Sequence, residues 1–290
     1  FDQVYLKIPA ALQAGRVISQ DIGKIPVKIT GKSTTQSKKV DALLNGYANP
    51  INSGMELRQI ITMSAVYTGA GYGIIEASSD GIPEAIWPVD IGAHGHWQNT
   101  RGEWRIQLTH PATGHAAHYR PSEVIEIRNI SVGLHDGINL SHVCRDILKV
   151  AVRLNLKFCD LLNPNNLHGL ITSEETLSDK QTEILSKQFA NLGVKTPIID
   201  RPISFSKIMS TPTELQLNET AKLMIADIAR IYGVHPFFLM ETSGSGAQNA
   251  LTEVMSYHIS TTMTPWVKRW EDTIDHKLLR HTGANAVLDK

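Results

Sequence analysis

Residues 140–162 and 214–232 read as two long helices with apolar side chains at helical spacing, and residues 163–213 between them break into shorter segments. That layout constrains the fold more than any other feature of the sequence. A chain that leaves through one long helix, builds a small insert and returns through a second must bring both helix ends back to one place. Asn139 or Ser141 offers an N-cap for the first helix, and Pro164 stops it. Inside the insert, residues 169–173 (GLITS) read as a strand. Leu177 and Ser178 open a helix that runs to residue 191, and residues 197–200 and 203–208 read as two further strands. The insert is therefore expected to be a small α/β unit.

Before the first long helix the period is mostly two. Residues 10–22 are expected to form a helix and residues 25–29 a strand, with Pro26 marking a sheet edge. The basic, polar run 32–39 reads as a loop, and residues 54–68 as a second amphipathic helix leading into the Gly-rich stretch 69–73. Alternating segments follow at 73–77, 85–89, 104–108, 116–119 and 124–128, separated by turn signals such as Asp80-Gly81 and residues 100–102. This is a mainly antiparallel β region, and the fold class is α+β. Beyond the second long helix, a Gly/Ser-rich loop at 241–248 precedes a helix from Asn249 to Arg280, which Pro265 should kink. No internal repeat is visible.

The 290 residues suffice for about two domains and a real core. Hydrophobic residues make up 42% and charged residues 19%, which fits neither disorder nor a heavily charged DNA coat. Because Lys plus Arg equals Asp plus Glu at 28 each, net charge names no partner. The most apolar helix candidate, residues 138–162, holds Arg145, Asp146, Lys149, Arg153, Lys157 and Asp160, so no membrane span is expected. Cys144 and Cys159 fall in one expected helix and read as reduced thiols without disulfide or metal spacing. The chain begins at Phe1 and not at Met, which reads as a trimmed or excerpted product, so the lack of a targeting signal carries no weight.

Several motifs invite a chemical reading. Gly69, Gly71 and Gly73 resemble a phosphate cradle, but a dinucleotide loop sits between a strand and a helix, and this one follows a helix. A structural turn is expected instead. Gly244-Ser245-Gly246 lacks the strand, turn and helix of a nucleophile elbow and reads as a flexible loop. Among twelve histidines, His94 and His96 share a strand face with His115 and His118 nearby. They are the basis of a rival reading as a metal-dependent hydrolase, although no carboxylate or Cys joins them at ligand spacing. No catalytic, cofactor or metal residues are assigned. In the first long helix Arg145, Lys149, Arg153 and Lys157 recur every four residues and form a basic stripe, partly offset by Asp146 and Asp160. Such a stripe is either a solvated face or one that meets a neighbouring subunit or a polyanion.

A series of short segments then matches one family in order and spacing. They are Leu43-Leu44 with Asn49-Pro50 and the helix from Met55; residues 67–76; residues 81–90 with Trp87-Pro88; residues 124–128; Asp136-Gly137 with Ser141; and residues 163–171. The most specific is Ile228-Ala229-Arg230-Ile231-Tyr232-Gly233-Val234-His235-Pro236, and the last is Thr264-Pro265-Trp266 with Glu271 and Leu278-Leu279. The sequence resembles the portal proteins of tailed bacteriophages, in the compact branch of long-tailed phages and prophages. It departs from them in the reversed order of Asn49-Pro50, a displaced proline near residue 164, and His235 inserted before Pro236.

The resemblance implies a portal fold and a non-enzymatic subunit of a homo-oligomeric ring, normally a dodecamer. Double-stranded DNA passes through such a ring during packaging and ejection. The implied parts are a mixed α/β wing at 1–137, a first stem helix at 138–163, a clip at 164–213 and a second stem helix at 214–233. A channel-loop region at 234–249, a kinked helix at 250–281 returning to the wing, and the start of a crown at 282–290 complete the chain. Glu241, Thr242, Ser243, Gly244, Ser245, Gly246, Gln248 and Asn249 would face DNA, and no cofactor is implied. Implied partners are the large terminase, the head–tail adaptor, the major capsid protein and a scaffolding protein. The implied location is the virion's portal vertex, after assembly in the bacterial cytoplasm. A gene-transfer-agent portal or a domesticated prophage portal fits the same residues.

Overall fold

The first helices start where the sequence supplies caps. The computed structural model describes residues 4–89, 95–133, 137–162, 169–172, 183, 198–199, 204–207, 212–239, 248–280 and 282–288. Pro9 opens α1 (Pro9–Lys24), whose fixed φ suits a first helical position. Strand β1 (Val27–Gly31) follows. The run read as a loop is instead the start of α2 (Thr35–Asn45). There Thr34 Oγ1 accepts from Ser37 N at 3.1 Å and Ser37 Oγ accepts from Thr34 N at 2.7 Å. This capping box, with Val40, Leu43 and Leu44 on the buried face, overrides the polar composition. Ser53 and Glu56 cap α3 (Gly54–Thr68) in the same reciprocal way.

Gly69, at φ 94°, ends α3 in the left-handed region. Only Gly69 is a turn, because Gly71 and Gly73 already lie in β2 (Ala70–Ala77). A Cβ on Gly71 would collide with the Ile61 carbonyl oxygen, so glycine lets the strand run against α3. Then come β3 (Pro83–Pro88), β4 (Gly95–Gln98), β5 (Trp104–Thr109), β6 (Ala116–Tyr119) and β7 (Val124–Arg128). They form two antiparallel three-stranded sheets, β3-β2-β7 and β4-β5-β6. Between the sheets Tyr72, Ile74, Ile106, Leu108 and Val124 form a buried cluster, with Trp87 and Tyr119 packed against it.

The expected single helix at 140–162 is broken. Asn139 Oδ1 accepts from His142 N at 2.9 Å and caps the short α4 (Leu140–Val143). Cys144, at φ −96° and ψ 19°, leaves the helical region before α5 (Arg145–Leu162). Next come β8 (Gly169–Thr172), β9 (Ile198–Ile199), β10 (Ser204–Lys207) and α6 (Pro212–Tyr232). The chain divides into two compact units, Phe1–Arg145 with Asp227–Lys290, and Asp146–Ala226. In the second unit β8 lies between β10, antiparallel, and β9, parallel.

The last expected helix is also interrupted. It comprises α7 (Gln248–Tyr257), a π-helical turn at His258–Met263, and α8 (Thr264–Lys277). Pro265 has no N–H to offer the carbonyl four residues back, and the chain answers with a wider turn just upstream, where Thr264 N–H reaches the Ile259 carbonyl. After α8, β11 (Ala284–Leu288) pairs antiparallel with β1. Its outward N–H groups at Ala286 and Leu288 donate to Asp275 and Glu271 of α8 at 2.6 and 3.0 Å. Carboxylates thus close an edge that would otherwise be free to pair. No helix among the described residues is long and apolar enough to cross a membrane.

Candidate channel-loop base and basic stripe

The segment from Ile228 to Pro236 is a helix terminus built from its own sequence. Gly233, at φ 66°, ends α6, with Gly233 N–H donating to Arg230 O at 3.3 Å and Val234 N–H to Ala229 O at 3.0 Å. This is a Schellman motif, and the buried Val234 supplies its usual apolar contact. Tyr232 meets Tyr67 edge-on at 5.6 Å, and Tyr67 stacks on Tyr5 at 4.1 Å. The Tyr67 hydroxyl donates to Ala11 O at 3.0 Å and lies over Gly15, where any Cβ would strike it. Burial pushes the phenols of Tyr67 and Tyr232 far above their ordinary range, so both stay neutral.

Past Gly233 the chain makes a 3₁₀ turn at Pro236–Leu239, and it re-enters helix at Gln248. The residues on either side of 240–247 are tied to each other and to α1. The Phe238 ring lies 4.4 Å from the His258 ring, and Gln13 Nε2 donates to Phe238 O at 3.3 Å. His258 Nε2 bonds Asp21 Oδ2 at 2.9 Å, and Lys24 Nζ bonds the other carboxylate oxygen at 2.6 Å. His235 meets Tyr257 edge-on at 6.1 Å, and Thr262 Oγ1 donates to Gly233 O at 2.7 Å. Sequence reading missed this base, since Asp21 and His258 stand 237 positions apart and neither belongs to a motif.

Burial disfavours charge on Asp21, but the hydrogen bond from His258 and the bond and charge of Lys24 outweigh it and lower its pKa. A lowered carboxyl stabilises the fold above its ordinary pKa, about 3.9, and that contribution disappears as pH falls through the lowered value. At pH 6 an Asp21→Asn variant is therefore expected to be less stable than the native chain, by about 1.5–3 kcal/mol for a bond to a charged group. As pH falls through the lowered Asp21 pKa the two should converge. Thermal melts across that range test this, and a gap unchanged by acid would contradict it.

Of the expected channel-loop residues, Glu241, Thr242, Ser243, Gly244, Ser245 and Gly246 lie outside the described residues, while Gln248 and Asn249 open α7. The stripe residues all lie on α5. Arg145, Arg153 and Lys157 are exposed, and the half-buried Lys149 has its Nζ 3.7 Å from Asp146.

The histidines do not converge. His94 lies outside the described residues. His96 and Tyr119 both pair with Ile106, which puts His96 on the core-facing side of its sheet, near Tyr72 and Glu126. His118 pairs with Gln107 on the other side, 5.2 Å from Trp97, and His115 is exposed. Side chains on opposite faces cannot hold one ion, and the described residues contain no metal-binding cluster. The hydrolase reading loses its geometry.

The profile of the phage portal protein family matches residues 9–289. The chain belongs to that family. It is 21% identical over 303 residues to the portal protein of Enterobacteria phage HK97, an alignment covering 96% of this chain and 68% of that portal protein. Its fold resembles a solved HK97-family portal protein from Corynebacterium diphtheriae, with 17% identity, a TM-score of 0.66, and coverage of 100% of this chain and 95% of that one. It also resembles a chain in the neck of a native gene transfer agent particle computed with C12 symmetry. There the TM-score is 0.70 at 15% identity, over 98% of this chain and 81% of that one. In this portal-family chain the matched segments have physical roles: Asn49 caps the 49–52 turn, Gly137 passes against Gly69, and Glu271 closes β11.

Proposed function

We propose that this portal-family chain is the subunit of a closed ring at one capsid vertex, through which double-stranded DNA is packaged and ejected. The observation that carries the reading is the family match over residues 9–289. The likeness to a neck computed with C12 symmetry supports a ring and favours twelve copies. Ring neighbours related by rotation present different faces to each other, and a ring buries side chains that a single chain exposes. The chain acts by binding and positioning and not by catalysis, while the ATP-driven motor is a separate large terminase.

Within this reading residues 1–137 are the wing, meeting the major capsid protein, and 164–213 the clip, docking the terminase and later the head–tail adaptor. Residues 138–163 and 214–233 are the stem helices, 250–281 return to the wing, and 282–290 begin the crown. The compact unit Asp146–Ala226, whose limits fall inside α5 and α6, supports a clip set between two stem helices. Residues 234–249 carry the channel loop, and a scaffolding protein assists ring incorporation in the bacterial cytoplasm. A gene-transfer-agent portal is the second reading, favoured by the likeness to the particle neck.

Residues 241–249 hold one charge, Glu241, among uncharged Thr242, Ser243, Ser245, Gln248 and Asn249. Such a loop touches DNA without adding phosphate contacts. Replacing Ser243 and Ser245 with Lys adds such contacts from every copy and is expected to slow packaging by about tenfold or more while leaving rings intact. Packaging at the native rate by this variant would overturn the loop's role.

A further inference from the structure

Val254 is half-buried, but Leu251, Thr252, Glu253, Met255, Ser256 and Tyr257 are all exposed, so α7 is little held by packing along its described length. The first buried side chain after it is His258, 3% exposed, at the start of the π-helical turn. We infer that the π-helical turn is a hinge for α7 and that the contact of His258 with Asp21 and Phe238 is the latch holding it. The inference stands on the geometry of described residues. It rests on the channel-loop reading only for its consequence, namely that α7 continues directly from residues 240–247.

A π turn leaves a helix with a wider, more readily repacked ring of backbone bonds. Here side chains back-bond to that turn: Thr261 and Ser260 Oγ donate to Tyr257 O at 2.6 and 3.1 Å, and Thr264 Oγ1 donates to Ile259 O at 2.8 Å. These bonds are local and would travel with the helix. Contacts among the described residues that cross to other elements include His258 to Asp21 of α1, the His258 ring against Phe238, Thr262 Oγ1 to the Gly233 carbonyl, and the Tyr257 ring edge-on to His235. The first is charge-assisted, because the Asp21 carboxylate accepts from Nε2–H, while Nδ1 has no partner among the described residues. The imidazole is therefore anchored at one nitrogen and one ring face, and the carboxylate that anchors it is itself oriented by Lys24 on the same helix.

Amide hydrogen exchange on the purified, assembled protein tests the latch. Asp21→Ala and His258→Leu should each raise exchange at residues 251–257 by about tenfold or more, the effect of losing one bond to a charged group. Exchange at residues 266–279 of α8 should not change. The double variant should be no faster than His258→Leu alone, since Asp21→Ala removes only a contact that His258→Leu already removes. His258→Gln keeps an N–H donor near Asp21 and should recover part of the protection. Native-like exchange at 251–257 in Asp21→Ala, or an increase spread equally through α8, would overturn the inference. A latch variant with fast exchange that still packages DNA normally would count against the channel-loop reading and leave the hinge standing.

Discussion

Replacing Arg58 with Met should cost the first unit about 3–5 kcal/mol, a large part of a typical domain stability of about 5–15 kcal/mol. Arg58 is 3% exposed, and its guanidinium donates to backbone carbonyls. Nη1 reaches Leu44 O near the end of α2, and Nη2 reaches Gly23 O and Ile25 O at 2.7 and 3.0 Å where α1 ends. The last carbonyls of a helix lack intrahelical donors and carry the negative end of its dipole, so one cation here satisfies two helix ends. Burial pushes the Arg58 pKa down to about 10, which still leaves it charged at neutral pH. Met matches the apolar stem but leaves three carbonyls without donors, at about 1–3 kcal/mol each where water stays out. All five tryptophans lie within residues 87–270 of this unit, so urea unfolding read by fluorescence reports on it alone. A midpoint unchanged in Arg58→Met would show that the carbonyls find water. Arg58→Lys should fall between, because an ammonium keeps the charge without the planar reach of the guanidinium.

Such a cation is hard to foresee, since a lone Arg in an amphipathic helix normally reads as surface. Local chemistry was easier to read. Ser53 with Glu56, the strand at 116–119 and the Gly233-Val234 terminus are each decided within a few residues, and sequence reading located each of those segments. Features set by contacts across the chain were not legible. The box formed by Thr34 and Ser37 was hidden by basic neighbours, and it took the buried face of Val40, Leu43 and Leu44 to make that stretch a helix. Pro265 announced an interruption but not its form, because a kink and a π turn both free the same carbonyl. His96 and His118 looked like neighbours until the pairing of β4 and β6 with β5 placed them on opposite faces. The partner of His258 lies on the first helix, where nothing in the local sequence points to it.

The largest effect on assembly is expected from two glutamates on α5. At about 100° per residue, Ile147, Val150 and Leu154 fall within one arc of the helix, opposite Arg145, while the basic line drifts from Arg145 through Lys149 and Arg153 toward the edge of that arc at Lys157. Leu148 and Ala151 are buried within the chain, but Ile147 and Val150 are 38% and 48% exposed, and Val143 just before the helix is 69% exposed. In a closed ring every copy offers such a face to its neighbour, and an apolar arc left open in one chain is the natural contact. Ile147→Glu with Val150→Glu should change the stability of the single chain little, since both side chains already meet water. In a ring the same charges enter an apolar contact without partners, a penalty of several kcal/mol at each interface that recurs around the circle. Native mass spectrometry should then show monomers under conditions where the native chain is expected to give rings, with the circular dichroism spectrum unchanged. Rings persisting in the double variant would move the contact off this arc. Arg145→Ala tests the opposite side of the helix: a basic stripe that faces water or DNA there predicts intact rings, and ring loss in that variant would make the stripe itself the interface.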